Sequence, residues 1–307
     1  VFDVIGRSVA VKRSKGERVS ALFSTARYEV IPLAGVEEDV VSHVPKDIKL
    51  TVTSSPKLGV NRTLEFCEGL SEAGYSVVPH LAARLVADEV HLAEILFRLR
   101  EMDVKELFVI AGDAEEPVGK FDGAGPLLRA MGNLDHTVEK IGISGYPESH
   151  PVISDEATIR AMEEKAPSAT HIISQICFDA KVTGTWIEAM RSRGIELPLY
   201  IGVPGVVGKQ KLMRISSKIG LGESARFLRK NRGWLLKIFS GGYSPNRLIE
   251  NLAPTIEDPK NGVAGLHIYT FNELAKTEKW RRETLERLGE KNEAERMHVS
   301  SGKTNNQ

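Results

Sequence analysis

Short apolar runs alternate with longer segments of helical period along most of this chain. The runs Tyr28–Pro32, Ile48–Thr53, Ser76–His80, Leu107–Ala111, Ile141–Tyr146, His171–Ile176, Leu199–Val203 and Gly265–Tyr269 suit strands buried on both faces. Between them, Thr63–Ala73 spaces Leu64, Cys67, Leu70 and Ala73 along one stripe. Ala87–Met102 gathers Val90, Leu92, Ile95, Leu96 and Leu99 mostly on one face. Further helices are predicted over Gly125–Met131, Ser154–Lys165, Val182–Arg193, Lys209–Ser217, Ser224–Phe239 and Asn272–Leu288.

Such alternation implies a parallel sheet, and eight βα units in about 250 residues predict a closed (β/α)8 TIM barrel. An open doubly wound sheet would place a Gly-rich phosphate turn after its first strand. Pro32-Leu33-Ala34-Gly35 stands there instead. The predicted organisation is a single-domain α/β barrel over residues 28–288. A lead-in over residues 1–27, helical or irregular and basic around Lys12, Arg13, Lys15 and Arg18, precedes it, and a polar tail over 289–307, expected to be disordered, follows it.

Composition adds limits. The 307 residues are 41% hydrophobic and 27% charged, ordinary for a soluble protein with a sizeable core. Lys+Arg and Asp+Glu number 41 each, so net charge points to neither a nucleic acid nor a membrane surface. No apolar run approaches the roughly 18 residues of a membrane span, and no leader pattern is visible, so the expected location is cytoplasmic. Cys67 and Cys177 suggest no disulfide framework.

A barrel collects its chemistry at the C-terminal ends of its strands. Glu29 lies there, inside an apolar run where a charge is costly unless paired. It is either half of a structural ion pair or a general acid with raised pKa. Asp113 follows Gly112 at the exit of a very apolar strand. The pair forms either a turn or a close backbone approach to a ligand. Gln175 sits within Ile172–Ile176 and is expected to be buried. Its carboxamide either bridges strands or matches the edge of a heterocycle. His80 and His150 lack metal-ligand spacing, so no metal is expected. Cys177 has the setting of a core residue rather than a nucleophile. Lys209, Lys211, Arg214 and Lys218 form either a solvated helix face or an anion site.

Taken in order, these strand ends resemble the methylenetetrahydrofolate reductase family. Tyr28-Glu29-Val30-Ile31-Pro32 is similar to that family's F-E-F-F-P motif, and Ala111-Gly112-Asp113 to its R-G-D. Tyr146-Pro147-Glu148-Ser149-His150-Pro151 matches Y-P-E-x-H-P, and Gln175-Ile176-Cys177-Phe178-Asp179 resembles Q-F-F-F-D. Val52-Thr53, Pro79-His80-Leu81 and His267-Ile268-Tyr269-Thr270-Phe271-Asn272 are further landmarks, so the resemblance covers Tyr28 to Asn272. It implies reduction of 5,10-methylenetetrahydrofolate to 5-methyltetrahydrofolate with NAD(P)H. Glu29 would be the general acid, Asp113 would stabilise the iminium, and Gln175 would hold the pterin. Tyr269 and Phe271 would contact the folate. Thr53, His80, Gly112, Asp113, Tyr146 and His150 would contact FAD, the family's usual hydride carrier.

The departures concern the flavin. Ala111 replaces the Arg before Gly-Asp. Glu163 and Glu164 stand in the stretch where the family carries basic residues toward the FAD phosphates, with Arg160 and Lys165 beside them. Gly202-Val203-Pro204-Gly205 replaces a Gly-Ile-Leu-Pro-like segment. The expectation is a reductase binding FAD weakly or not at all, with NAD(P)H reducing the folate directly. The alternatives are a non-reductive folate enzyme of one-carbon or methyl transfer and a non-catalytic folate-binding subunit.

Overall fold

The computed structural model describes residues 16–148, 154–208 and 245–302. Its eight strands are β1 (Arg27–Val30), β2 (Leu50–Val52), β3 (Val77–Ala82), β4 (Glu106–Ile110), β5 (Lys140–Gly145), β6 (His171–Ser174), β7 (Leu199–Pro204) and β8 (Val263–Tyr269). They close into one barrel in sequence order, every pair parallel, with β8 returning to β1 through Arg27 opposite His267. All eight predicted strands are present, within a few residues of their expected ends.

The helices are α1 (Glu17–Ser24), α2 (Val36–His43), α3 (Gly59–Glu72), α4 (Glu89–Glu101), α5 (Ala124–Met131), α6 (Asp155–Lys165), α7 (Ala180–Ser192), α8 (Pro245–Glu257) and α9 (Leu274–Gly302). Three begin on a side-chain cap: Asp88 accepts from the His91 amide at 2.9 Å, Ser154 from Ala157 at 3.3 Å and Asp179 from Lys181 at 2.9 Å. Two helices were not foreseen. α2 is short and buries only Val36 and Val40, too little for a periodic signal. α8 buries Leu248, Ile249, Leu252 and Ile256, but Pro254 interrupts the pattern in its last turn. The predicted helices over Lys209–Ser217 and Ser224–Phe239 lie outside the described residues.

α9 runs past Leu288, the expected end of the barrel, to Gly302. Six of the seven residues Glu290–Arg296 are Glu, Lys, Ala or Arg, all strong helix formers. Among the described residues no helix is long and apolar enough to cross a membrane.

Strand alternation builds two cores. Val30, Leu50, Leu107, Ile172, Leu199 and Ile268 pack outward in one continuous cluster with Leu64, Leu70 and Leu92 of the helices. Inside the barrel, Val78, Phe108 and Ile173 form a smaller apolar plug with Ile110 and Tyr200 against it. Gly265 leaves room for the Tyr200 ring, which a side chain there would strike.

Polar groups sit on both sides of this plug. Below it, at the strand N-termini, Glu106 accepts hydrogen bonds from Arg27 and from Lys49 (2.6 Å), with His171 Nε2 at 3.2 Å. Burial pushes the Glu106 carboxyl up, but His171, Arg27 and Lys49 together outweigh it and hold the group far below the usual carboxylate range. Above the plug lies Glu29.

Candidate active site

Glu29 is fixed by the chain that leaves β8. The Thr270 hydroxyl donates to the Glu29 carbonyl at 2.6 Å. Asn272 accepts from the Ile31 amide at 2.9 Å and donates to the Ile31 carbonyl at 2.9 Å. Phe271 and Asn272 take positive φ, 51° and 56°, to make this turn. Non-glycine residues rarely adopt that region, and Asn does so most readily.

The Glu29 side chain enters the barrel beside two imidazoles. Its Oε2 lies 3.2 Å from His267 Nε2 and 3.8 Å from His80 Nε2. Both rings are buried, and both rest on Phe108: His80 edge-on at 4.7 Å and His267 tilted at 6.4 Å. Burial pushes His80 down to about 4 and His267 down to about 3, so both are neutral at neutral pH. Burial pushes Glu29 up to about 7, against a lowering influence of His80. An ion pair needs a cation, and neither ring supplies one. Near neutrality Glu29 is a carboxyl that carries a proton for part of the time.

Other predicted residues stand around it. Tyr269 packs its ring on His267 at 4.8 Å and donates its hydroxyl to the Ser174 carbonyl at 3.1 Å, so any folate contact would fall to the ring. Thr53 is half-buried, its amide bonded to the Val30 carbonyl at 2.9 Å. Gly112 takes φ +89°, and a Cβ there would press on the Ala82 Cβ at 2.9 Å, so the β4 exit needs glycine twice over. Asp113 is exposed beyond it. The Tyr146 hydroxyl is pushed up first by burial and also by the Asp113 charge. Phe271 is half-buried. His150 and the basic cluster of Lys209, Lys211, Arg214 and Lys218 lie outside the described residues.

One expectation is corrected. Gln175 is exposed rather than buried, because β6 ends at Ser174 and Gln175 is the first residue past the rim. Its Oε1 accepts from the Ile176 amide at 2.8 Å. The apolar neighbours that suggested burial, Ile172 and Ile173, lie lower in the strand.

Glu148 and Cys177 explain two motifs structurally. Glu148 Oε1 lies 3.4 Å from both Cys177 Sγ and the Phe178 amide, tying the β5 exit to the β6 exit. Burial pushes the Cys177 thiol up to about 12, so it is no thiolate nucleophile.

His267, Thr270 and Asn272 escaped the sequence-level choice of site residues. The available signal was parity: His267 stands two residues before Tyr269 on β8, so both point inward.

The flavin question turns on the same rim. Glu163 pairs with Arg193 at 3.7 Å and, with Pro198, lines a depression at the start of β7, the opposite end of the barrel. Its charge therefore does not bear on the rim, and that part of the case against a pyrophosphate falls. Arg160 faces Glu156 at 3.1 Å, and burial depresses Lys165. Arg84, next to the β4 exit, donates to the carbonyls of Ala114 (2.7 Å), Glu115 and Asp122 (3.1 Å), and Arg62 donates to that of Pro32 (3.3 Å). Ala111 offers only a methyl group. Among the described residues, the β4 exit thus presents a methyl group and a guanidinium already bonded to three backbone carbonyls.

A family model for methylenetetrahydrofolate reductase matches residues 41–222, more than half of the chain. The chain belongs to the methylenetetrahydrofolate reductase family. The matched span runs from α2 past β7. It contains Thr53, His80, Gly112, Asp113, Tyr146 and Gln175, whereas Glu29, His267 and Tyr269 lie outside it. Methylenetetrahydrofolate reductase 1 of Schizosaccharomyces pombe is 22% identical over 237 residues, covering 68% of this chain and 35% of that protein. The chain thus spans about a third of that relative's length. Among solved structures, an uncharacterized protein from Clostridium thermocellum that binds two copies of 5-methyl-5,6,7,8-tetrahydrofolic acid shares the fold. Its TM-score is 0.55 at 11% identity, covering 83% of this chain and 95% of that one.

Proposed function

We propose that this family member reduces 5,10-methylenetetrahydrofolate to 5-methyltetrahydrofolate, with NAD(P)H as hydride donor and Glu29 as general acid. The observation that carries the proposal is the Glu29 carboxyl, raised to about 7 at the barrel mouth between two neutral histidines. An acid with pKa near the working pH is what the ring opening needs.

The electron count is simple. The methylene carbon stays on N5, and the bond to N10 breaks with its electron pair going to N10, which takes the Glu29 proton. The N5 iminium left behind accepts hydride from NAD(P)H and becomes the methyl group. Asp113, exposed at the β4 exit, offers negative charge to the cationic iminium. Gln175, exposed at the β6 exit, offers its amide to the pterin edge. The methyl group of Ala111 and the engaged guanidinium of Arg84 favour transfer from the nicotinamide without a flavin.

A non-catalytic folate carrier would gain nothing from a buried acid, which favours the enzyme. The test is NAD(P)H oxidation with and without methylenetetrahydrofolate; oxidation that ignores the folate would rule the reductase out. The absorbance spectrum of the purified protein addresses the flavin separately. A stoichiometric band near ~450 nm would overturn the direct transfer.

A further inference from the structure

The carboxyl of Glu29 has two oxygens in unlike settings, and His267 makes them so. His267 Nε2 lies 3.2 Å from Glu29 Oε2, while its Nδ1 is buried with no hydrogen-bond partner. A neutral imidazole carries one N–H and one lone pair. A buried N–H without a partner is much rarer in proteins than an under-used acceptor. The proton of His267 therefore belongs on Nε2, aimed at Oε2, with the bare lone pair of Nδ1 left in the apolar surroundings.

We propose that His267 is a positioning residue that makes Glu29 Oε2 a hydrogen-bond acceptor and so places the transferable proton on Oε1. The inference rests on Glu29 being the general acid. It adds which oxygen acts and what selects it.

The surroundings support a fixed tautomer. His80 from β3 and Tyr269 from β8 face the pair, and the charges of Arg27 from β1 and His171 from β6 reach His267 from the floor of the barrel. Arg27 and His171 both oppose a positive charge on His267. His80 Nε2, at 3.8 Å, approaches the same Oε2 without bonding to it. Both imidazoles thus crowd one oxygen, and no protein hydrogen bond engages Oε1 among the described residues. The reacting nitrogen would meet Oε1.

The direction of one measurable shift separates this arrangement from its opposite. An N–H donated to Oε2 favours the ionised carboxylate, so its loss raises the Glu29 pKa. If Glu29 instead donated to a bare Nε2, loss of the ring would lower it. Infrared difference titration of the Glu29 carboxyl, with Glu29→Gln as blank, reads this without turnover. In His267→Leu, close in volume and apolar, the titration should move up by about 1–2 pH units. In His267→Gln, whose amide restores a donor, it should return to the wild-type value. No shift, or a downward one, in His267→Leu would overturn the proposal.

Nitrogen-15 spectra of the wild-type histidines, with His267 assigned through His267→Gln, give a second readout should the Leu variant not fold. An Nε2–H tautomer supports the proposal, and Nδ1–H refutes it. Neither readout depends on activity, so a protein that shows no folate-dependent NAD(P)H oxidation would fail as a reductase and leave the assignment of Oε1 standing. Where activity is present, the alkaline limb of the kcat profile should move up in His267→Leu alongside the titration.

Discussion

Glu29 is held in a form that costs stability. Its carboxyl ionises near 4.5 when exposed and at about 7 in the folded chain, because burial penalises the charge. The folded state therefore binds the proton more tightly. The group favours folding most below about pH 4.5, and that contribution is lost as pH rises toward 7, up to roughly 3 kcal/mol above it. Glu29→Gln removes the ionisation. Urea denaturation at pH 8 should find the variant more stable than wild type by about that amount, with little difference at pH 4. Its turnover should fall by ~10²-fold or more while folate binding persists. Wild-type turnover should decline as pH passes about 7, where the acid loses its proton. Unchanged turnover in Glu29→Gln would remove the residue from the mechanism. Glu29 was legible in the sequence because a charge in an apolar run stands out. His267 was not, because its importance comes from contact with a residue 238 positions away. Gln175 misled because its apolar neighbours mark the strand, while its exposure depends on where that strand ends.

Elements that repeat a period are written plainly in the chain, and those that serve one local purpose are not. The eight strands are short runs with apolar centres, and the stripe of α3 recurs every three or four residues. By contrast, the segment Thr270-Phe271-Asn272 has no period. Its two positive-φ residues exist to bring the Asn272 amide to Ile31 and the Thr270 hydroxyl to Glu29. This short segment closes the barrel seam between β8 and β1 and sets the height of Glu29. Asn272→Ala would leave the Ile31 amide and carbonyl buried without partners and place a Cβ residue without Asn's tolerance at φ 56°. A loss of about 2–4 kcal/mol is expected by denaturant titration. Turnover should fall with it, since Glu29 loses its anchor. A drop in stability with turnover intact would show that the seam supports the fold alone.

The whole barrel divides its charges by height. Above the Val78–Phe108–Ile173 plug, Glu29 faces neutral rings and stays reactive. Below the plug, Glu106 is satisfied by Arg27, Lys49 and His171 and stays ionised. The two carboxyls consequently impose opposite slopes on stability. Glu106 has a depressed folded pKa, so its contribution is full above the unfolded value of 4.5 and is lost as pH falls below it. Glu106→Gln leaves Arg27 buried without its counter-charge and should cost roughly 3–5 kcal/mol at pH 7, less whatever the partly exposed Lys49 recovers from solvent. In wild type, stability should climb from acid pH to about 4.5 and then decline gently toward 7. Glu106→Gln should abolish the acid-side climb and keep the decline, and Glu29→Gln should do the reverse. Because an apolar layer separates the two sites, the double variant should show both changes with little coupling. Strong coupling in that cycle would mean that the plug transmits charge between the ends of the barrel. The stable floor and the reactive mouth would then be one electrostatic unit rather than two.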